Sequence, residues 1–322
     1  MNNKTKKKIA FVIGITGQDG SYMSNFLLKK DYLVYGYTRS LKKKNLDNLK
    51  KIKILDKVKL KKYSEVKPHN IISDINKIKP NEIYYFAGQS SVNKSFTVPL
   101  ITYSSNITIL FLILENLRKY KLLKIKVYNS CSTDCYGETK KIFKKENDVF
   151  EPHSPYGNAK NFSFWLTKYY RETYQLKSKS GILSNHESPL RKNNFVLKKI
   201  INFVLNRKEN EYLNLGNIFV YRDWGWAPDF IEAIYKINNS KFQKDYVVGT
   251  GKIISLNYII KKIFYLSNID IKFLITNSKK VMRPRDIQKT GCNPKLIYKD
   301  LKWKSKLGID EILKKMLLNE MY

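Results

Sequence analysis

The chain has 322 residues, 43% of them hydrophobic, and a formal net charge of +34 from 61 basic against 27 acidic side chains. That length suits one large α/β unit or two closely joined lobes, with enough apolar content for a substantial core. Three cysteines (Cys131, Cys135, Cys292) and three histidines, spread along the chain, exclude a disulfide framework and a recognisable metal pattern, so no metal is expected.

Such a positive charge attracts polyanions. Here, however, the lysines run along the whole chain rather than forming one block. That distribution argues for compositional drift and against a nucleic-acid partner, while still favouring a small anionic substrate such as a nucleotide diphosphate. The first residues, MNNKTKKKIAFVIG, enter a strand directly and lack a signal peptide's apolar core. The most apolar run, Ile107 to Leu114, is too short to span a bilayer. A reduced, cytoplasmic setting without membrane attachment is the expectation.

Lys8 to Gly14 reads as a doubly buried parallel strand. Gly14-Ile15-Thr16-Gly17-Gln18-Asp19-Gly20 follows, and then a helical pattern runs to about Lys30. Strand, glycine turn and helix together form the context of a dinucleotide fingerprint: the glycines let backbone approach a pyrophosphate, and the helix start offers N–H groups. The next strand, Tyr32 to Tyr37, ends at Thr38-Arg39-Ser40, where an acidic residue would bind the ribose of NAD. Arg39 stands there instead, which favours NADP, because a guanidinium can grip a 2′-phosphate.

Leu41 to Lys62 carries ten lysines and reads as a solvated helix leading to a strand near Val58–Tyr63. Glu65, just beyond, is placed to meet an adenine amino group. A helix over His69–Ile78 and a strand over Glu82–Ala87 come next. The small residues Ala87-Gly88-Gln89-Ser90-Ser91 then allow backbone to pass close to a cofactor. Pro99 to Tyr120 reads as a long helix that, beside the one from Tyr156 to Tyr174, offers a dimer interface.

Strand Ile125 to Ser130 runs into Cys131-Ser132-Thr133-Asp134, and Ser154-Pro155-Tyr156-Gly157-Asn158-Ala159-Lys160 opens a helix. Tyr156 and Lys160, four apart, share a helix face. A free phenol titrates near pH ~10, and a neighbouring ammonium favours the phenolate, which makes a usable base. Ser132 and Asp134 supply a hydroxyl and a carboxylate from the strand end. A strand over Gly181–Ser184 precedes Asn185-His186-Glu187-Ser188-Pro189, and a basic helix is expected over Arg191–Arg207.

Further on come a short strand at Leu213–Gly216, the cluster Tyr221-Arg222-Asp223-Trp224-Gly225-Trp226, a helix over Pro228–Ile237, the basic segment Val281 to Asp286, and a last helix over Ile309–Leu318. Arg191, Arg222 and Arg283 are candidate diphosphate grips. Alternating strands and helices imply an α/β fold, a Rossmann-type doubly wound parallel sheet with a smaller C-terminal α/β substrate-binding lobe. The division expected is 1–184 for the cofactor domain and 185–322 for the lobe, with part of about 213–240 returning to the first.

The chain resembles the GDP-mannose 4,6-dehydratase family of the extended short-chain dehydrogenase/reductases. The resemblance runs from about Lys8 to Leu318, through G-I-T-G-Q-D-G-S-Y, A-G-Q-S-S-V, S-P-Y-G-N-A-K, N-H-E-S-P, L-G-N-I-F-V-Y-R-D-W-G and R-P-R-D-I. It implies that Tyr156, activated by Lys160, takes the C4 hydroxyl proton as hydride passes to NADP. Asp134 then removes the C5 proton, with Ser132 as hydroxyl partner; water leaves from C6 and the hydride returns there. The product is a GDP-4-keto-6-deoxy sugar.

The implied cofactor contacts are Gly14, Thr16, Gly17, Gln18, Asp19, Gly20, Arg39, Glu65, Ala87, Gln89, Tyr156, Lys160 and His186. The implied substrate contacts are Ser90, Asn185, Arg191, Lys199, Gly216, Arg222, Arg283 and Asp286. The chain departs from the family by having Asp134 in place of Glu, Ser132 in place of Thr, and Arg39-Ser40 in place of paired arginines. The segment after Arg39 and the substrate half are also shortened. The sugar is therefore open between GDP-mannose and a GDP-manno-heptose, and the assembly between homodimer and homotetramer. A related C4 oxidoreductase or epimerase that does not complete dehydration is the alternative activity.

Overall fold

The structure is a computed structural model that describes residues 7–64, 69–275 and 283–322. Its elements begin with β1 (Ile9–Ile13), α1 (Gln18–Lys29), β2 (Leu33–Thr38), α2 (Asp47–Lys51), β3 (Lys59–Lys62), α3 (His69–Ile78) and β4 (Glu82–Tyr85). Next come α4 (Val92–Thr97), α5 (Pro99–Lys119), β5 (Lys126–Ser132), β6 (Phe143–Lys144), α6 (Pro155–Tyr174), β7 (Lys177–Leu183), β8 (Asn185–Glu187) and α7 (Val196–Asn206). The chain continues through β9 (Leu213–Asn214), β10 (Tyr221–Arg222), β11 (Trp224–Trp226), α8 (Ala227–Asn239), β12 (Tyr246–Val248), β13 (Ile254–Ser255) and α9 (Leu256–Leu266). It closes with β14 (Leu274–Ile275), β15 (Lys289–Cys292), α10 (Lys295–Leu301) and α11 (Ile309–Leu317).

Seven strands form one parallel sheet in the order β12-β7-β5-β4-β1-β2-β3. Successive residues of β1 show why it is layered. Ala10 and Val12 join one core cluster with Tyr22, Met23 and Leu27 of α1 and Phe230, Ile231 and Ile234 of α8. Phe11 and Ile13 point the other way, into a cluster with Ile71 and Ile75 of α3 and Ile109, Leu110, Ile113 and Leu114 of α5. Side chains alternate across a strand, so a strand apolar at every position must be covered on both faces. A separate cluster, including Leu197 and Ile200 of α7, Trp224 and Trp226 of β11, Ile259 and Ile263 of α9, and Leu313 of α11, forms the core of the smaller C-terminal part. Among the described residues, α5 alone is long and apolar enough to span a bilayer, but half of it is buried in the protein.

Several sequence expectations are corrected. Residues 41–62 do not form a long helix: α2 covers five residues, flanked by 3-10 turns at Lys43–Asn45 and Leu55–Lys57. Leu46, Leu49, Ile52 and Ile54 are buried there, so tertiary anchoring shapes this segment rather than a helical stripe. The basic helix starts at Val196, leaving 191–195 as a loop. β7 starts at Lys177 rather than Gly181, because its polar half finds partners inside. Lys179 Nζ donates to the carbonyls of Ile237 (3.1 Å) and Ser240 (2.8 Å), and the Ser180 amide donates to Asp245 (2.6 Å). Asp245 also receives a two-pronged bond from Arg171 (2.9 and 2.6 Å), which ties the end of α6 to the edge strand β12.

Candidate active site

At the carboxyl edge of the sheet, one cavity of about 1140 Å³ runs from the glycine turn to the C-terminal core. Its cofactor end is built by backbone. Gly14 has φ +91°, and a Cβ on it would lie 2.8 Å from the Ala87 amide nitrogen. A Cβ on Gly20 would lie 2.3 Å from the Gly14 carbonyl oxygen. The fold itself therefore demands both glycines. Gly17 is different, since a Cβ there would meet only the Gly14 oxygen, at an ordinary 3.4 Å. Gly17 also precedes α1 with no side-chain cap, which leaves the first N–H groups of that helix facing the cavity. An uncapped helix start behind a bare glycine fits a dinucleotide's pyrophosphate.

The segment after β8 is bound to this turn. Gln18 donates to the His186 carbonyl (3.1 Å), and Ser188 donates to the Gln18 side-chain oxygen (2.8 Å). Asn48 donates to the carbonyls of Thr16 (3.2 Å) and Leu190 (3.1 Å). His186 sets its Nε2 3.1 Å from Asp19 and its Nδ1 2.7 Å from the Ser184 carbonyl. Both ring nitrogens thus face oxygen atoms that can accept a hydrogen bond. Burial raises the Asp19 carboxyl, but the charge and hydrogen bond of His186, the Gln18 bond and Arg191 outweigh it and hold Asp19 down at about 2. Gln18, Asp19 and His186 thus serve the interior of the site as well as its surface.

The reacting wall is formed by β5, the turn after it and the start of α6. Ser154 caps α6 by accepting from the Gly157 amide (3.0 Å), and Pro155 occupies the first turn. A Cβ on Gly157 would lie 2.6 Å from the Asp134 carbonyl oxygen, so this glycine lets the helix press against the Asp134 turn. Ser132 Oγ donates to Asp134 Oδ2 (3.0 Å) and accepts from the Asp134 amide (3.2 Å). Lys160 Nζ lies 5.8 Å from the centre of the Tyr156 ring and donates to the Ser130 carbonyl (2.8 Å).

The expectation that Lys160 lowers the Tyr156 phenol does not hold for this buried pair. Burial, followed by the Asp134 charge, pushes Tyr156 up against opposing contributions from Ser132 and Arg191. Burial likewise pushes Lys160 down. Desolvation disfavours both charged forms and here outweighs their attraction.

At the far wall, Arg222 (3.0 Å) and Arg283 (3.0 Å) both donate to one oxygen of Asp286. Arg222 also bonds the Tyr221 carbonyl (2.9 Å). Asp286, expected as a substrate contact, is therefore the carboxylate that orients both guanidinium groups. Lys199 donates to the Asn214 carbonyl (2.6 Å), and Arg191 stacks over Phe195 with its Nε 3.5 Å from Glu187.

Of the expected site residues, Gly14, Thr16, Gly17, Gln18, Asp19, Gly20, Arg39, Ala87, Ser90, Ser132, Asp134, Tyr156, Lys160, Asn185, His186, Arg191, Lys199, Gly216, Arg222, Arg283 and Asp286 all line the cavity. Gln89 does not. Its side chain donates to Ser91 O (2.9 Å) and Thr102 Oγ1 (3.1 Å), anchoring the loop to α5. Glu65, Val281 and Met282 lie outside the described residues. Sequence reasoning missed Asn48, Glu187 and Lys192, all on the cavity wall. Lys192 is pushed down by burial and by the charges of Arg39, Arg191 and Lys94. A basic residue directly after Arg191 was the available signal, masked by lysines everywhere else.

Residues 11–316 match the family model described as GDP-mannose 4,6 dehydratase. A relative named GDP-mannose 4,6 dehydratase from Dictyostelium discoideum is 32% identical, with 98% of this chain and 96% of the relative covered. Two solved structures share the fold. A UDP-glucose 4-epimerase from Thermotoga maritima with UDP-glucose has TM-score 0.85 and 22% identity, covering 97% of this chain and 98% of that one. A dTDP-glucose 4,6-dehydratase from Bacillus anthracis in complex with NAD has TM-score 0.84 and 20% identity, covering 97% and 96%.

Proposed function

Since the chain belongs to the GDP-mannose 4,6 dehydratase family, we propose that it converts a GDP-hexose of the mannose type, or a GDP-manno-heptose, to the GDP-4-keto-6-deoxy sugar. One observation carries this reading: Ser132, Asp134, Tyr156 and Lys160 share one cavity with the glycine turn at one end and Arg222 and Arg283 at the other. The arginines are suited to a diphosphate, and the glycine turn to a nicotinamide dinucleotide.

The residues that would hold the cofactor are Gly14, Gly17 and the start of α1 for the pyrophosphate, with Arg39 beside Lys192 for a 2′-phosphate. That pair of cations supports NADP over NAD. Asp47 also reaches the cavity, but it pairs with Lys50 (3.7 Å). A nicotinamide bound there would supply the hydride acceptor for C4 and the hydride donor for C6. Tyr156 takes the C4 hydroxyl proton, with Ser132 on the same wall of the cavity. Lys160, held by the Ser130 carbonyl, supports the phenolate electrostatically as it forms. Asp134 removes the C5 proton that the 4-keto group has made acidic, and the C6 hydroxyl departs as water. The Ser132 bond aims the Asp134 carboxylate, and the contact with Gly157 fixes its backbone.

The helices α5 and α6 leave Leu100, Ile101, Tyr103, Phe111, Phe162, Trp165 and Tyr169 exposed, which supports a homodimer through this face. A cytoplasmic enzyme fits a chain with three free, buried thiols.

Mass spectrometry of the product from GDP-mannose and NADP tests the reaction. The expected product is lighter by one water, with no net NADPH; accumulation of NADPH would mean oxidation without dehydration. Asp134→Asn should stop elimination while C4 oxidation continues. Because the Asp134 charge helps raise Tyr156, this variant should also shift the rise of oxidation with pH toward lower pH. An unchanged profile would detach Asp134 from the base.

A further inference from the structure

Two of the three cysteines bracket the proton-transfer residues. Cys131 lies near the end of β5 and Cys135 in the 3-10 turn that follows, with Ser132, Thr133 and Asp134 between them. Their sulfur atoms are 3.5 Å apart. Cys131 lines the cavity beside Ser132 and Asp134, and its thiol faces the Lys160 carbonyl at 3.5 Å. Cys135 lies behind it, fully buried with Tyr136, Phe164, Ile182 and Val247, and bonds the Ser132 carbonyl. Cys292, in the same cluster, turns instead to the Val248 carbonyl (3.7 Å). Cys131 is itself only 2% exposed, but of the two it alone lines the cavity, with Cys135 packed behind it.

We propose that Cys131 and Cys135 form a reversible oxidation site, in which a hydroperoxide reaching Cys131 through the substrate cavity converts the pair to an intrachain disulfide. The Cys131 thiolate attacks one peroxide oxygen and the O–O bond breaks. The departing oxygen takes up the proton released by the thiol, leaving as water when the oxidant is hydrogen peroxide, and Cys131 becomes a sulfenic acid. The Cys135 sulfur then displaces the hydroxyl group from Cys131, forming the S–S bond, and its proton leaves with that hydroxyl as water. Two electrons pass from the dithiol to the peroxide, and a dithiol reductant reverses the change.

Burial pushes the Cys135 thiol up, which disfavours it as the group that attacks the peroxide first. Closure has a consequence for the site. A disulfide holds its sulfurs about 2.05 Å apart, so this pair must draw together across the turn that carries Ser132 and Asp134. A displacement of about 1 Å in a catalytic group costs on the order of 100-fold in rate. Oxidation should therefore switch the enzyme off, and a filled cavity should protect Cys131.

The test treats the whole protein with one equivalent of hydrogen peroxide, with and without NADP and GDP-mannose. Remaining thiols are then alkylated and the tryptic peptide Val127–Lys140, which contains both cysteines, is weighed. The expected result is a peptide lacking two hydrogens and refusing alkylation, formed more slowly with ligands present. Activity should fall together with its appearance and return with dithiothreitol. Cys135→Ser keeps a donor for the Ser132 carbonyl, and it should start at parental activity and never lose the two hydrogens; Cys292→Ser should behave as the parent. A peptide that stays alkylatable, or a cross-linked peptide with undiminished turnover, would overturn the proposal. Should the protein turn over no GDP-mannose, the peptide mass still decides the site.

Discussion

The two ends of the cavity are built in opposite ways. At the cofactor end, the decisive atoms are backbone: Gly14 against Ala87, Gly20 against Gly14, and the open start of α1, all but Ala87 lying between Gly14 and Gly20. At the substrate end, the decisive atoms are side-chain charges: Arg222 follows β10's first residue, Arg283 and Asp286 come some sixty residues later, and one carboxylate orients both guanidinium groups. Backbone sites tolerate little substitution but change little among ligands. Charged side-chain sites can be re-aimed one residue at a time. The reacting wall lies between them and combines both: Gly157 fixes where the Asp134 backbone sits, and Ser132 fixes where its carboxylate points.

The sharpest break of that contrast is Tyr156→Phe. General-base catalysis contributes about 10²–10⁴-fold, and single-turnover reduction of NADP should fall by that order while GDP-mannose affinity stays within about twofold. Normal turnover would take the base away from Tyr156. Next in size is Arg222→Ala. Hydrogen bonds to charged groups are worth about 1.5–3 kcal/mol, so the KM for the GDP-sugar should rise by roughly one to two orders of magnitude, with little change in NADP affinity. Asp286→Ala should give a smaller rise in the same direction, because it releases both arginines without removing them. Equal loss of NADP and sugar affinity in either variant would erase the distinction between the two ends.

The glycines sharpen the cofactor end. Gly20→Ala forces a Cβ into backbone 2.3 Å away and should cost about 1–3 kcal/mol of stability, read as a lower Tm. Gly17→Ala has room and should leave Tm unchanged while weakening NADPH binding, read by nucleotide fluorescence. The reverse pattern would mean that Gly17 is structural and the pyrophosphate lies elsewhere. The smallest effect expected is at Asp19, whose carboxyl is held at about 2. A depressed folded-state value contributes stability above the unfolded value of about 3.9 and loses it as pH falls through the folded value. Asp19→Asn should therefore destabilise the protein at neutral pH and flatten its acid unfolding between about pH 4 and pH 2. An unchanged acid transition would show that the His186 contact contributes nothing to folding.

Much of the site was legible in the sequence because its signals are local. The glycine turn, the capped start at Ser154-Pro155 and the Tyr156/Lys160 spacing depend on neighbours within one turn of chain. Local chemistry was not enough at Gln89, whose polar side chain turns away to α5, or in the loop 191–195, which reads as helix in the sequence but follows Leu190, whose carbonyl accepts from Asn48. The lysine-rich stretch after β2 misled for a related reason: its few apolar residues are pinned by the core and not by a repeating stripe.

What the sequence by itself determined is the alternation of strands and helices, the glycine turn and the Tyr156/Lys160 spacing, since backbone conformation and helix periodicity act over a few residues. Only the tertiary structure decided how those groups are charged and aimed. It buried Tyr156 and Lys160 deeply enough that desolvation overrides their attraction, shared Asp286 between two distant arginines, and brought Cys131 within reach of Cys135. Burial and long-range charge depend on what the rest of the chain packs around a residue, and no local spacing contains that information.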